Sequence, residues 1–96
     1  MSPKNKKKLN ILRQKLDKLD LKLLSLIKVR TDIIKKVIIL KKNKNEIVDK
    51  KRITFILKKI KKASIKKKID PYITSRIWKN MIWSYIDFER KKFNKK

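Results

Sequence analysis

Several cations of this 96-residue chain occupy positions where a helix would bury apolar side chains. Arg30 falls in a series of residues at steps of three and four, which is the spacing of a buried helix face. The series is Leu9, Leu12, Leu16, Leu19, Leu23, Leu26, Arg30, Ile33, Val37 and Lys41. Arg13 flanks its first turns, and Arg52 lies among apolar residues further along the chain. Burying an uncompensated cation is costly, so each needs an acid, a bound anion or a path to water.

Each cation taken alone has a local explanation. Arg30 could pair with a structural acid such as Asp32 or extend towards solvent, and Lys41 would be a favourable cation at a helix C-terminus. Asp49 and Arg52 could form a pair three residues apart. Taken together, the inward cations and the total of only eight acids favour a bound small anion. Because arginine binds carboxylates through two parallel hydrogen bonds, we expect a ligand with two carboxylates.

An acid falls on the inward stripe of a later helix. Glu89 is four residues after Tyr85 and twelve after Ile77. It could pair with a neighbouring lysine or face solvent. It could also face the same anionic ligand, where it would act as a hydrogen-bond donor only in its protonated form.

The elements that position these residues are predicted to be helices. The apolar series predicts a first helix roughly 50 Å long, and the polar segment 41–46 predicts a loop. Asp49 is expected to cap a second helix, and Asp70 with Pro71 to begin a third. The apolar face of the second helix is Ile53, Ile56, Leu57 and Ile60. The fold class is therefore all-α, with three helices in the order long, short, medium.

The chain is expected to form one domain over residues 1–96, with flexible basic tails at 1–8 and 91–96. The first helix is too long for the other two to cover. Its remaining apolar stripe predicts a homodimer in which the long helices pair or interlock.

Composition excludes several kinds of chemistry. The chain has no Cys and no His, which argues against zinc sites, thiol nucleophiles and histidine bases, and we expect no metal and no cofactor. It also has no Gly, so a glycine-rich phosphate loop is not expected. The longest apolar run is 37–40, and the basic N-terminus leads into no apolar signal core. These features predict a cytoplasmic protein with no membrane partner.

The net charge of +24 suggests nucleic-acid binding. Only five of the 32 basic residues are Arg, and the enrichment in Lys, Ile and Asn is what an AT-rich coding sequence would give. We therefore treat the arginines as the informative cations and expect any nucleic-acid binding to be non-specific. A basic helical nucleic-acid-binding protein remains an alternative.

From about Leu9 to Glu89 the chain resembles the all-α (AroQ-class, type II) chorismate mutases. The segments that carry the resemblance are LRQKLDKLDLKLLSLIKVR, then Lys41, then DKKR, IDPYIT and IWKNMI. The resemblance implies a dimer of three-helix chains that converts chorismate to prephenate in phenylalanine and tyrosine biosynthesis, the branch that follows the shikimate pathway. That reaction is a pericyclic isomerisation, in which the enzyme holds a dianion in a compact shape and stabilises charge on the breaking ether oxygen.

The resemblance also implies roles for individual residues. Arg30 and Arg13 match carboxylate-binding arginines, with Arg13 reaching into the partner subunit's site. Lys41 matches a lysine that contacts a carboxylate and the ether oxygen, and Glu89 matches a donor to that oxygen. The implied catalytic residues are thus Lys41, Glu89 and Arg30, which also bind substrate.

The resemblance implies two further substrate contacts, and the chain differs from the family pattern at two positions. Arg52 matches the arginine of a D-x-x-R element, and Asp49 lies beside the ring hydroxyl. The family commonly has Glu after that arginine, but here the residue is Ile53. A Ser commonly precedes the donor by four residues, but here that residue is Tyr85, with Ser84 adjacent. Because Ile53 weakens the case for recognition of the chorismate hydroxyl, an isochorismate-pyruvate lyase on the same fold is an alternative.

Overall fold

The computed structural model describes residues 1–94. Within them the chain forms three α-helices and no β-strand: α1 (Pro3–Leu40), α2 (Lys50–Lys66) and α3 (Pro71–Asn94). The all-α class and the order long, short, medium are confirmed. Of the two predicted tails, residues 3–8 and 91–94 are helical, while 95 and 96 lie outside the described residues. The flexibility of the tails and the single domain over 1–96 stay predictions.

The long helix α1 begins with a cap and ends before a polar segment. Ser2 Oγ accepts a hydrogen bond from the Asn5 backbone N–H at 3.2 Å, and Pro3 occupies the first helical position. No Gly or Pro interrupts the helix after Pro3. Segment 41–46, predicted as a loop, contains a short 3-10 turn at Lys44–Glu46. The turn forms because the Glu46 side chain accepts the Asn43 backbone N–H at 3.0 Å.

The corner between α2 and α3 is a Schellman motif built without glycine. The Ile69 N–H donates to the Ser64 carbonyl at 2.9 Å, and the Lys68 N–H donates to the Ile65 carbonyl at 3.1 Å. Lys68 has φ of 59°, in the left-handed region that usually favours glycine. Asp70 then accepts the Tyr72 N–H at 3.0 Å, which caps α3 as predicted.

The hydrophobic core lies where α2 packs against α3. Ile47, Ile82 and Ile86 are buried there. The partly buried side chains around them are Val48, Ile53, Ile56, Leu57 and Phe93. Ser64 is also buried, and its Oγ lies 2.7 Å from Thr74 Oγ1, which gives this polar group a partner across the two helices. Four apolar side chains are buried among residues 1–94: Ile38, Ile47, Ile82 and Ile86.

The chain divides into two compact units, residues 1–33 and the part from Ile34 onward. The first unit is the N-terminal part of α1. Its predicted stripe is open to solvent in the single chain: Leu12, Leu16, Leu19, Leu23 and Leu26 are between 53% and 65% exposed. Across residues 1–94 no helix has an apolar stretch long enough to cross a bilayer.

Candidate functional site

A lysine and a glutamate from distant parts of the sequence meet within the second unit. Lys41 directly follows the end of α1, and Glu89 lies in the last part of α3. Lys41 Nζ is 3.4 Å from Glu89 Oε1, and the two side chains are only 19% and 9% exposed. Charged pairs of this kind usually lie at 2.7–2.9 Å, so the contact is a loose ion pair.

The burial of this ion pair says more about its role than the distance between its charged atoms does. Removing two charges from water costs free energy that their attraction often fails to recover, so a buried ion pair is weak evidence for a purely stabilising role. The pair also joins two residues to which the family resemblance assigns substrate contacts. The Lys41–Glu89 pair is therefore the strongest candidate for chemistry within the described residues.

Lys41 also lines an open groove between the end of α1 and the start of α2. The lining residues are Lys41, Asn45, Glu46, Val48, Asp49, Lys50 and Lys51. Three lysines and two acids line the groove, and this excess of positive charge favours an anion. Sequence reasoning found Lys41 and Asp49 but missed Lys50 and Lys51. Their position directly after the N-cap was the available signal.

The predicted Asp49–Arg52 pair is a helix cap. Asp49 Oδ1 accepts a hydrogen bond from the backbone N–H of Arg52 at 3.0 Å. The Arg52 side chain is exposed, and its guanidinium carbon lies 5.3 Å from the centroid of the Phe55 ring. The next residue, Ile53, packs against the buried cluster. Ile53 therefore makes an apolar contact at the position where the resemblance leads one to expect a carboxylate.

Tyr85 and Ser84 differ in what surrounds them. Tyr85 is half-buried and lies one helical turn before Glu89. Ser84 is exposed, and its Oγ donates to the Asn80 carbonyl at 2.7 Å. Tyr85 is thus the better placed of the two to line a site around Glu89, although its role there remains a prediction.

The two other predicted arginines belong to the first unit. Arg30 is half-buried, and its Nε atom is buried. Arg13 is exposed. The roles of Arg30 and Arg13 in binding carboxylates stay predictions.

Comparison of the sequence with models of known protein families assigns the chain to one of them. The model described as chorismate mutase type II matches residues 12–90. The chain belongs to this family. No curated protein matches it, and no solved structure does. The matched range of this type II chorismate mutase sequence contains all seven predicted site residues, and the family's activity is that of an isomerase.

Proposed function

We propose that the protein catalyses the rearrangement of chorismate to prephenate by clamping the dianion among its cations. Family membership over residues 12–90 is the observation that carries this proposal. In the reaction one carbon–oxygen bond breaks and one carbon–carbon bond forms within the same molecule. No proton transfer is needed, and the chain contains neither His nor Cys.

The binding step uses charge to select a folded form of the substrate. Arg30 and the Arg13 of the partner subunit bind the carboxylates, and Arg52 contributes from the start of α2. Lys41 contacts a carboxylate and the ether oxygen, while Asp49 lies beside the ring hydroxyl. Holding the reacting carbons close together lowers the entropic part of the activation free energy. Cations at the ether oxygen stabilise the negative charge that develops there in the transition state.

Glu89 has a role that depends on its protonation. In the ion pair with Lys41 the carboxylate can only accept hydrogen bonds. To donate to the ether oxygen it must carry a proton, with Tyr85 lining the site beside it. The contact with Lys41 supports this role because it puts Glu89 beside the cation that is proposed to meet the same ether oxygen.

The active unit in this proposal is a homodimer with intertwined α1 helices. The support is the exposed leucine stripe of residues 1–33 and the small number of buried apolar side chains in the single chain. A second copy would cover the stripe and bring Arg13 into the partner's site. The place in phenylalanine and tyrosine biosynthesis, and a cytoplasmic location, belong to the same proposal.

The test is direct. Purified protein should consume chorismate, seen as loss of its absorbance, and yield prephenate. Arg30→Ala should abolish turnover while circular dichroism keeps its helical signal. Absence of turnover at every pH from about 5 to 8, where ordinary carboxyl groups are mostly ionised and lysines are charged, would reject the proposal.

A second candidate, an isochorismate-pyruvate lyase, rests on Ile53. Because this side chain packs in the apolar cluster, it offers no acceptor to the chorismate hydroxyl. Assays of both substrates with the same preparation decide between the two activities: release of pyruvate from isochorismate without turnover of chorismate would replace the first proposal with the second.

A further inference from the structure

The outward face of α2 carries a row of cations around one aromatic ring. α2 packs against the core through Ile53, Ile56 and Leu57. At 100° per residue, the opposite side of the helix presents Lys51, Phe55, Lys58, Lys59, Lys62 and Lys66. All six are exposed. We call this set the α2 basic face.

No acid of the same segment neutralises this face. Residues 50–69 contain ten basic side chains (Lys50, Lys51, Arg52, Lys58, Lys59, Lys61, Lys62, Lys66, Lys67 and Lys68) and no Asp or Glu. On α1, by contrast, Lys28 Nζ pairs with Asp32 at 2.7 Å. Side chains three or four residues apart on a helix lie about 5–6 Å from one another. The α2 basic face is therefore a continuous strip of positive charge.

Phe55 gives the strip a second property. Its side chain is 53% exposed. The Arg52 guanidinium carbon and Lys59 Nζ lie 5.3 and 5.9 Å from the ring centroid. Both cations lie over the ring, so a base stacks on Phe55 by replacing one of them, which leaves that cation free to contact a phosphate.

We propose that the α2 basic face binds single-stranded nucleic acid, with Phe55 stacking on a base and Lys58, Lys59 and Lys62 contacting phosphates. Duplexes fit less well because their base faces are already stacked. An anionic membrane fits less well because the apolar face of α2 is packed against α3 and has nothing to insert. The α2 basic face shares Lys51 with the groove at the start of α2, but the proposed contacts Phe55, Lys58, Lys59 and Lys62 do not line that groove. Recognition at this face is by charge and stacking, with no base preference.

The phosphate contacts are tested by salt dependence. Binding of a fluorescein-labelled oligothymidylate to the full chain is followed by anisotropy at several salt concentrations. Lys58→Gln, Lys59→Gln and Lys62→Gln together should weaken binding and make the slope of log K against log salt shallower by about 2, since each phosphate contact in a single strand contributes about 0.7. The control carries Lys15→Gln, Lys18→Gln and Lys22→Gln on α1, with the same change in charge. Equal effects of the two triple variants would overturn the proposal.

The stacking contact is tested by a matched pair of aromatic variants. Phe55→Ala should weaken binding to the single strand about 5-fold or more, because base stacking on aromatic rings is lost. Tyr72→Ala removes another exposed ring with a cation above it, Arg76 at 5.5 Å on α3, and should change little. A hairpin duplex should be insensitive to Phe55→Ala, and thermal melting by circular dichroism checks that each variant is folded.

The remaining outcomes are equally decisive. If Phe55→Ala weakens duplex and single strand alike, the ring does not stack and the proposal fails. If the α2 triple variant instead reduces binding to vesicles of phosphatidylcholine and phosphatidylserine and leaves the oligonucleotide unaffected, the face belongs to a membrane surface and the proposal is wrong.

Discussion

Replacing one leucine on the exposed stripe of α1 tests whether a second chain covers it. Leu23 lies in the middle of the three-four series and is 56% exposed in the single chain. Leu23→Ala keeps the helix, because alanine is the strongest helix former. The substitution should therefore act on association and leave the secondary structure unchanged.

The magnitude follows from the exposed fraction. Leu→Ala removes about three methylene equivalents, or about 2.4 kcal/mol for a fully buried side chain. A partner helix would cover the 56% that is still exposed, so each site loses about 1.3 kcal/mol. A twofold dimer contains two such sites, for a total of about 2.6 kcal/mol, which is about a 100-fold increase in the dimer Kd.

Sedimentation velocity over a range of protein concentrations measures this change. Leu21→Ala is the matched control, since Leu21 is 66% exposed but lies off the stripe. We expect Leu23→Ala to shift the monomer–dimer transition to higher concentration and Leu21→Ala to leave it in place. Equal shifts for both variants, or a native chain that sediments as a monomer at micromolar concentration, would refute the reasoning.

Three further predictions concern the site and the core. Glu89→Gln should retain turnover, because an amide N–H can donate to the ether oxygen in place of the proposed carboxyl donor; loss of turnover in that variant removes the donor role of Glu89 from the mechanism. Lys41→Gln should lower kcat about 100-fold or more, whereas Lys42→Gln, its exposed neighbour, should not, and steady-state kinetics separates the two. Ser64→Ala should lower the free energy of unfolding by about 1 kcal/mol in urea titration, since its buried Oγ bonds Ile60 and Thr74, while the exposed Ser84→Ala should have little effect.

The helices were predictable from the sequence because their signals are local. The leucine series identifies α1, and Asp49 and Asp70 identify the starts of α2 and α3 through capping geometry. The turn at Lys44–Glu46 was not predicted, because it depends on a side-chain bond from Glu46 back to the Asn43 backbone. Polar composition alone indicated only that α1 had ended.

The site was predictable in part. Helix periodicity and the family resemblance singled out Lys41 and Glu89 separately, and the structure places them 3.4 Å apart. Their contact depends on how α3 packs, which periodicity does not specify. The exposed ring of Phe55 was missed, although the apolar face predicted for α2 leaves this residue on the opposite side of the helix. Its contacts with Arg52 and Lys59 depend on side-chain conformations that helix periodicity does not specify.

The α2–α3 corner has a consequence for how this sequence can evolve. Lys68 holds a left-handed backbone conformation that costs a non-glycine residue about 1–2 kcal/mol. Glycine would adopt the same conformation without that cost, and position 68 is not among the residues proposed to bind chorismate. Replacing the exposed Lys68 by glycine would therefore raise the free energy of unfolding of this chain. A single replacement there could offset a destabilising change elsewhere, which widens the set of site substitutions the fold can accept.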